Sequence, residues 1–275
     1  MRRREILTLF GGLSLFGADT DLDRAFQRMY NFDFDGAHGL IDSYINAAAD
    51  DPLGYASRAC AHLFSEMDRL GILAADFFLD DDRIADKKKL KPDPRIRDAF
   101  YWATAQCRER AEKHLAANAS DKNALLSLSM VFGLLTDYAA FVEKRQLGSL
   151  SYAKQSQHFA VRLLAIDPNY ADAYLTTGIS EYLLGSVPFF VKWFVKLEQV
   201  KGSKELAMKN LQVVAKGGRY FGPFARILMA VVALREKRTV DARLWLEGLV
   251  REFPQNALLR RELDKISPHI YQKIR

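Results

Sequence analysis

The five histidines of this chain, His38, His62, His114, His158 and His269, stand far apart in sequence. None belongs to a paired-histidine helix motif, and no Cys/His cluster has zinc spacing. His62 and Glu66 share a helix face at i,i+4, which a surface or interhelical hydrogen bond accounts for. Cys60 and Cys107 each lie inside a helical pattern and read as two buried thiols; a disulfide would need the fold to bring them together. Gly217-Gly218 stands between two helical patterns without the flanks of a phosphate loop, and reads as a left-handed helix cap. No serine occupies a nucleophile elbow. Residue types and spacing therefore predict no enzyme, no cofactor and no metal.

Of the 275 residues 49% are apolar, enough to bury a sizeable core, so the chain is expected to fold. The formal charge of +6 owes two units to Arg2, Arg3 and Arg4 against Glu5, and the other four are interleaved with acidic residues. Without a basic-plus-aromatic module this points away from nucleic acid.

Residues 1–18 combine the arginine run with an apolar, glycine-containing stretch from Ile6 to Ala18, followed by Asp19, Asp21 and Asp23. That layout matches an export signal, and Arg3-Arg4 resembles the twin-arginine type. The stretch is shorter than the ~20 apolar residues of a membrane span. Neither cysteine follows it, which argues against a lipid anchor. A periplasmic address is expected, with a cytoplasmic one as the alternative.

Helical periodicity runs through residues 19–275, and period-2 strands with hairpin turns are absent. One clear pair begins at Pro223, with Phe224, Ile227, Leu228, Val231 and Leu234 at spacings of 3 and 4. It turns at Arg238-Thr239 and continues through Ala242, Leu246, Leu249 and Val250 to Phe253-Pro254. Such a unit resembles a tetratricopeptide repeat: Ala230, Ala242, Leu246, Leu249 and Pro254 stand at that family's small, small, aromatic, small and proline positions, Leu246 and Leu249 departing in residue type. A second match runs from Asp167-Pro168 through Tyr174 to Gly178, where glycine permits close helix approach. The resemblance covers most of residues 22–256 and is strongest over 160–256.

That resemblance implies an all-α, right-handed superhelix of antiparallel helix pairs. Pro52, Ala119, Pro168 and Pro254 mark unit ends 67, 49 and 86 residues apart, whereas whole repeats of ~34 residues give 34 and 68. Insertions are therefore expected near 76–94 and 186–202. The first carries mixed charge and ends on Pro92 and Pro94, as a solvated connection would. The second places Phe190, Trp193, Phe194 and Leu197 along one helix face. Residues 256–275 read as a helix capping the apolar end of the stack.

The family's concave surface carries over to Leu126 and Met130, then Leu175, Ile179, Tyr182 and Leu183, then Ile227, Val231, Leu234 and Arg235. Of these Met130, Leu175, Ile179, Tyr182, Val231 and Arg235 are candidates, and Tyr138 is a further one. Together with Phe190, Trp193, Phe194 and Leu197 these are the candidate binding residues. They are mainly aliphatic or aromatic, unlike the Lys and Asn of members that clamp a peptide carboxylate. The expected function is a non-catalytic scaffold for a protein, a peptide or a small apolar ligand, with self-association open. The alternative is an accessory subunit of a periplasmic solute-uptake system, similar in architecture to the helical T component of tripartite ATP-independent transporters.

Overall fold

The computed structural model describes residues 20–74, 90–186 and 203–266, the side chains of 146 and 183–186 aside. Helix accounts for 81% of these residues and strand for none, so the chain is all-α as the periodicity requires. The α-helices among the described residues are α1 (Asp21–Tyr30), α2 (Phe34–Ala47), α3 (Pro52–Arg69), α4 (Pro94–Ala117), α5 (Lys122–Asp137), α6 (Gln146–Ile166), α7 (Tyr174–Ser186), α8 (Lys204–Gly217), α9 (Gly222–Arg235), α10 (Thr239–Glu252) and α11 (Ala257–Ile266). A π-helical turn, Tyr138–Val142, extends α5, and a 3-10 turn, Ala171–Ala173, leads into α7. Phe190, Trp193, Phe194 and Leu197, and residues 1–18, where an export signal is expected, lie outside the described residues.

Local chemistry explains where most helices start. Thr20, Asp33, Asp51, Asp93, Asp121 and Ser203 each accept an amide hydrogen bond in the first turn of α1, α2, α3, α4, α5 and α8, satisfying donors with no partner inside the helix. Pro52, Pro94 and Pro223 follow at positions where a missing N–H costs nothing. Of the first insertion only residues 90–94 are described. Pro94 opens α4, and the Asp93 amide donates to the buried Glu66 carboxylate on α3 at 2.7 Å.

Each helix packs on the next in the chain, and α3 also lies against α5. Small residues let α3 and α4 approach: Ala56, Ala59, Ala103, Cys107 and Ala111 are all buried. Gly178 does the same for α7 and α8, since a Cβ there would meet Leu211 at 3.1 Å. The centre of the core is α5, apolar on every side, with Leu125, Leu128, Val131 and Phe132 inaccessible or nearly so. Lys122–Val142 is the one described stretch long and apolar enough to cross a membrane, and most of it is buried inside the molecule. Each large side chain sequestered there stabilises the fold by about 1.5–3 kcal/mol.

Helix α1 does not simply begin a stack; it joins the first helices to the last. Its Phe26 ring lies 4.9 Å from Tyr220 and 5.9 Å from Phe221, and Tyr30 lies 5.2 Å from Phe253. The Tyr30 hydroxyl donates to the Tyr220 carbonyl at 2.8 Å, while Asn256 Nδ2 donates to the Tyr30 carbonyl at 2.8 Å. Across the same seam, Phe64 of α3 meets Phe224 of α9 edge to face. Helix α11 covers α10 through Leu259, Leu263 and Ile266.

Candidate functional site

The candidate binding residues divide by burial. Met130 on α5 is 7% exposed and Tyr138 in the π turn 0%, its ring stacked on Phe100 at 4.6 Å. The Tyr138 hydroxyl is buried without a hydrogen-bond partner. Both residues belong to the core, Met130 nearly and Tyr138 fully enclosed. Leu175, Ile179 and Tyr182 recur at 4 and 3 along α7 and are half-buried, as are Val231 and Arg235 at i,i+4 on α9. The structure therefore keeps two partly open faces of the three that the repeat positions marked.

Hydroxyl contacts hold α7 in place. Ser129 of α5 and Ser156 of α6 exchange bonds, Ser129 Oγ donating to the Ser156 carbonyl at 3.1 Å and Ser156 Oγ to the Ser129 carbonyl at 2.7 Å. Thr176 Oγ1 of α7 sits 3.1 Å from one hydroxyl and 3.3 Å from the other. On the opposite side, Asn210 Nδ2 of α8 donates to Thr177 Oγ1 at 3.1 Å. Buried polar groups that satisfy one another in this way define the register of the helices carrying them.

The turn before α9 is held by a carboxylate. Asp172 accepts from the amides of Arg219 at 2.9 Å, Tyr220 at 3.2 Å and Phe221 at 2.9 Å. Burial pushes its carboxyl up, and the three amides work against that rise. Gly218 fits this turn for a reason other than the left-handed cap expected: its φ is −67°, an ordinary value. A Cβ at Gly218 would meet the Val214 carbonyl at 2.7 Å and Asp172 Oδ1 at 2.9 Å, so only glycine lets the backbone reach the carboxylate.

Three titratable features escaped the reading of the sequence. His62 on α3 packs against His38 of α2, ring centroids 4.3 Å apart and planes tilted, instead of engaging Glu66. Burial, the His38 ring and Arg58 bring His62 down to about 4, and burial with Arg58 lowers His38. His62 also lines an open cleft of about 380 Å³ with Asp93, Arg95, Ile96 and Ala99. Glu66 is instead fully buried and accepts from Arg69 Nε at 2.7 Å and Nη2 at 2.8 Å. At the end of α5, desolvation pushes the Asp137 carboxyl up to about 7, although the residue keeps some contact with solvent. Only proximity in the fold produces these effects; the spacings of His38, His62 and Asp137 hold no recognisable signal.

Cys60 and Cys107 are both free and buried, as expected of two core thiols. Among the described residues no group of three or more His, Cys, Asp or Glu is arranged to hold a metal ion. No family model, curated protein or solved structure matches this chain.

Proposed function

We propose that this chain is a non-catalytic scaffold of the tetratricopeptide kind, whose stacked helix pairs hold a protein segment rich in apolar side chains against α7 and α9. The observation behind this reading is the partial exposure of Leu175, Ile179, Tyr182 and Val231 along regular helix faces, beside a core that buries their counterparts on α5. Apolar side chains at i,i+4 and i,i+7 suit helix-in-groove recognition. The hydroxyl contacts of Thr176 and Thr177 make α7 a fixed platform, which lowers the entropic cost of association. The proposed address is outside the cytoplasm, on the strength of residues 1–18.

A photo-crosslinking amino acid placed at Ile179 or Val231 in native cells tests the proposal, with Val161, exposed on α6, as the control. A discrete partner captured from 179 and 231 but not from 161, and lost in the Ile179→Glu/Val231→Glu variant at unchanged melting temperature, supports it. Equal capture from all three positions, or none, overturns it. A small apolar ligand retained by the purified protein in native mass spectrometry would support solute handling instead.

A further inference from the structure

We propose that His38 and His62 form an open binding site for a divalent transition metal ion, copper(II) or zinc(II), beside the cleft that His62 lines. The two imidazoles come from different helices and lie 4.3 Å apart between centroids, their planes inclined by 39°. A metal–nitrogen bond of about 2.0–2.1 Å sets a ring centre roughly 3.2 Å from the ion, so two rings in adjacent coordination positions have centres about 4.5–5.2 Å apart. The observed pair is a few tenths of an ångström short of that window, a gap that small side-chain rotations close.

Asp93 stands on the cleft wall and Asp42 lies near both rings. Asp42 pairs with Arg58 and Asp93 with Arg95, so the charges beside the two rings balance. The histidines keep part of their surface, and the cleft has room for the water molecules that would complete the ion's coordination. With two protein ligands and solvent for the rest, the site is open and exchangeable, unlike the closed four-ligand sets of structural zinc. Copper(II) is the tighter-binding ion of the two, following the general order of divalent affinities.

Copper(II) titrated into untagged protein tests the assignment, followed by calorimetry and by electron paramagnetic resonance. The expected result is one tight equivalent with two imidazole nitrogens coupled to the copper. His38→Gln and His62→Gln keep polarity and approximate size, and each should weaken binding at least tenfold, since losing even a group that supports a ligand costs about 10–100-fold. His158→Gln, at an exposed position on α6, should leave binding unchanged. Circular dichroism establishes that each variant is folded. Binding no tighter than that of the double His38→Gln/His62→Gln variant, or a copper signal indifferent to both changes, overturns the proposal.

Discussion

Arg219 grips Asp23 with two nitrogens at 2.7 Å each, tying the turn before α9 to the first helix across 196 residues of chain. Asp23 also completes the capping box of α1, its carboxylate accepting from the Thr20 amide at 2.7 Å and the Thr20 hydroxyl at 2.6 Å. One carboxylate therefore starts a helix and fastens the two ends of the fold.

Arg219→Ala should lower stability by about 1–2 kcal/mol, a modest value because the arginine is half-exposed. Lysine should not restore it, since a point charge cannot span both oxygens. Burial alone would raise the Asp23 carboxyl, but hydrogen bonds from Arg219 and Thr20 hold it at about 2. A depressed carboxylate stabilises the fold above its ordinary pKa near 4, and that contribution fades as pH falls toward 2. Denaturant melts of wild type and Arg219→Ala should thus differ at pH 6 and converge near pH 2.

Asp172→Ala should cost about 3 kcal/mol or more, because it strands three amides in a buried turn. Asp172→Asn keeps one acceptor oxygen and should cost less, about 1–2 kcal/mol. Gly218→Ala forces a Cβ against the Val214 carbonyl and should cost about 1–3 kcal/mol. Chemical denaturation of the three variants checks both the sizes and the order.

Asp137→Asn should stabilise the protein at alkaline pH. The wild-type carboxyl is pushed up to about 7 in the fold, so the folded state is favoured while Asp137 is protonated, and loses stability as pH rises from near 4 through 7. Partial contact with solvent limits the effect to the order of 2 kcal/mol. Thermal melts should place the Asp137→Asn variant above wild type at pH 8 and level with it at pH 4; the same gain at both would refute the titration.

Cys60 and Cys107 should resist Ellman's reagent in the native protein and react at once in denaturant. Both thiols are buried, and burial pushes them up, so the reactive thiolate is scarce. Two equivalents released slowly from native protein, at a rate tracking unfolding, are expected.

The sequence by itself determined the elements. Periods of 3 and 4, and prolines such as Pro223, act within one or two helical turns, so the all-α class could be read directly. The crossing role of Gly178 and the burial of both cysteines were legible for the same reason. Which repeat-position residues stay open was decided by the tertiary structure. Leu126 and Leu175 look alike as leucines at corresponding positions, yet one is enclosed while the other remains half-open. Contacts such as Arg219 with Asp23, or His38 with His62, depend on how far successive helix pairs rotate against each other. Packing angles of that kind are the sum of many side-chain contacts, and no local pattern carries them.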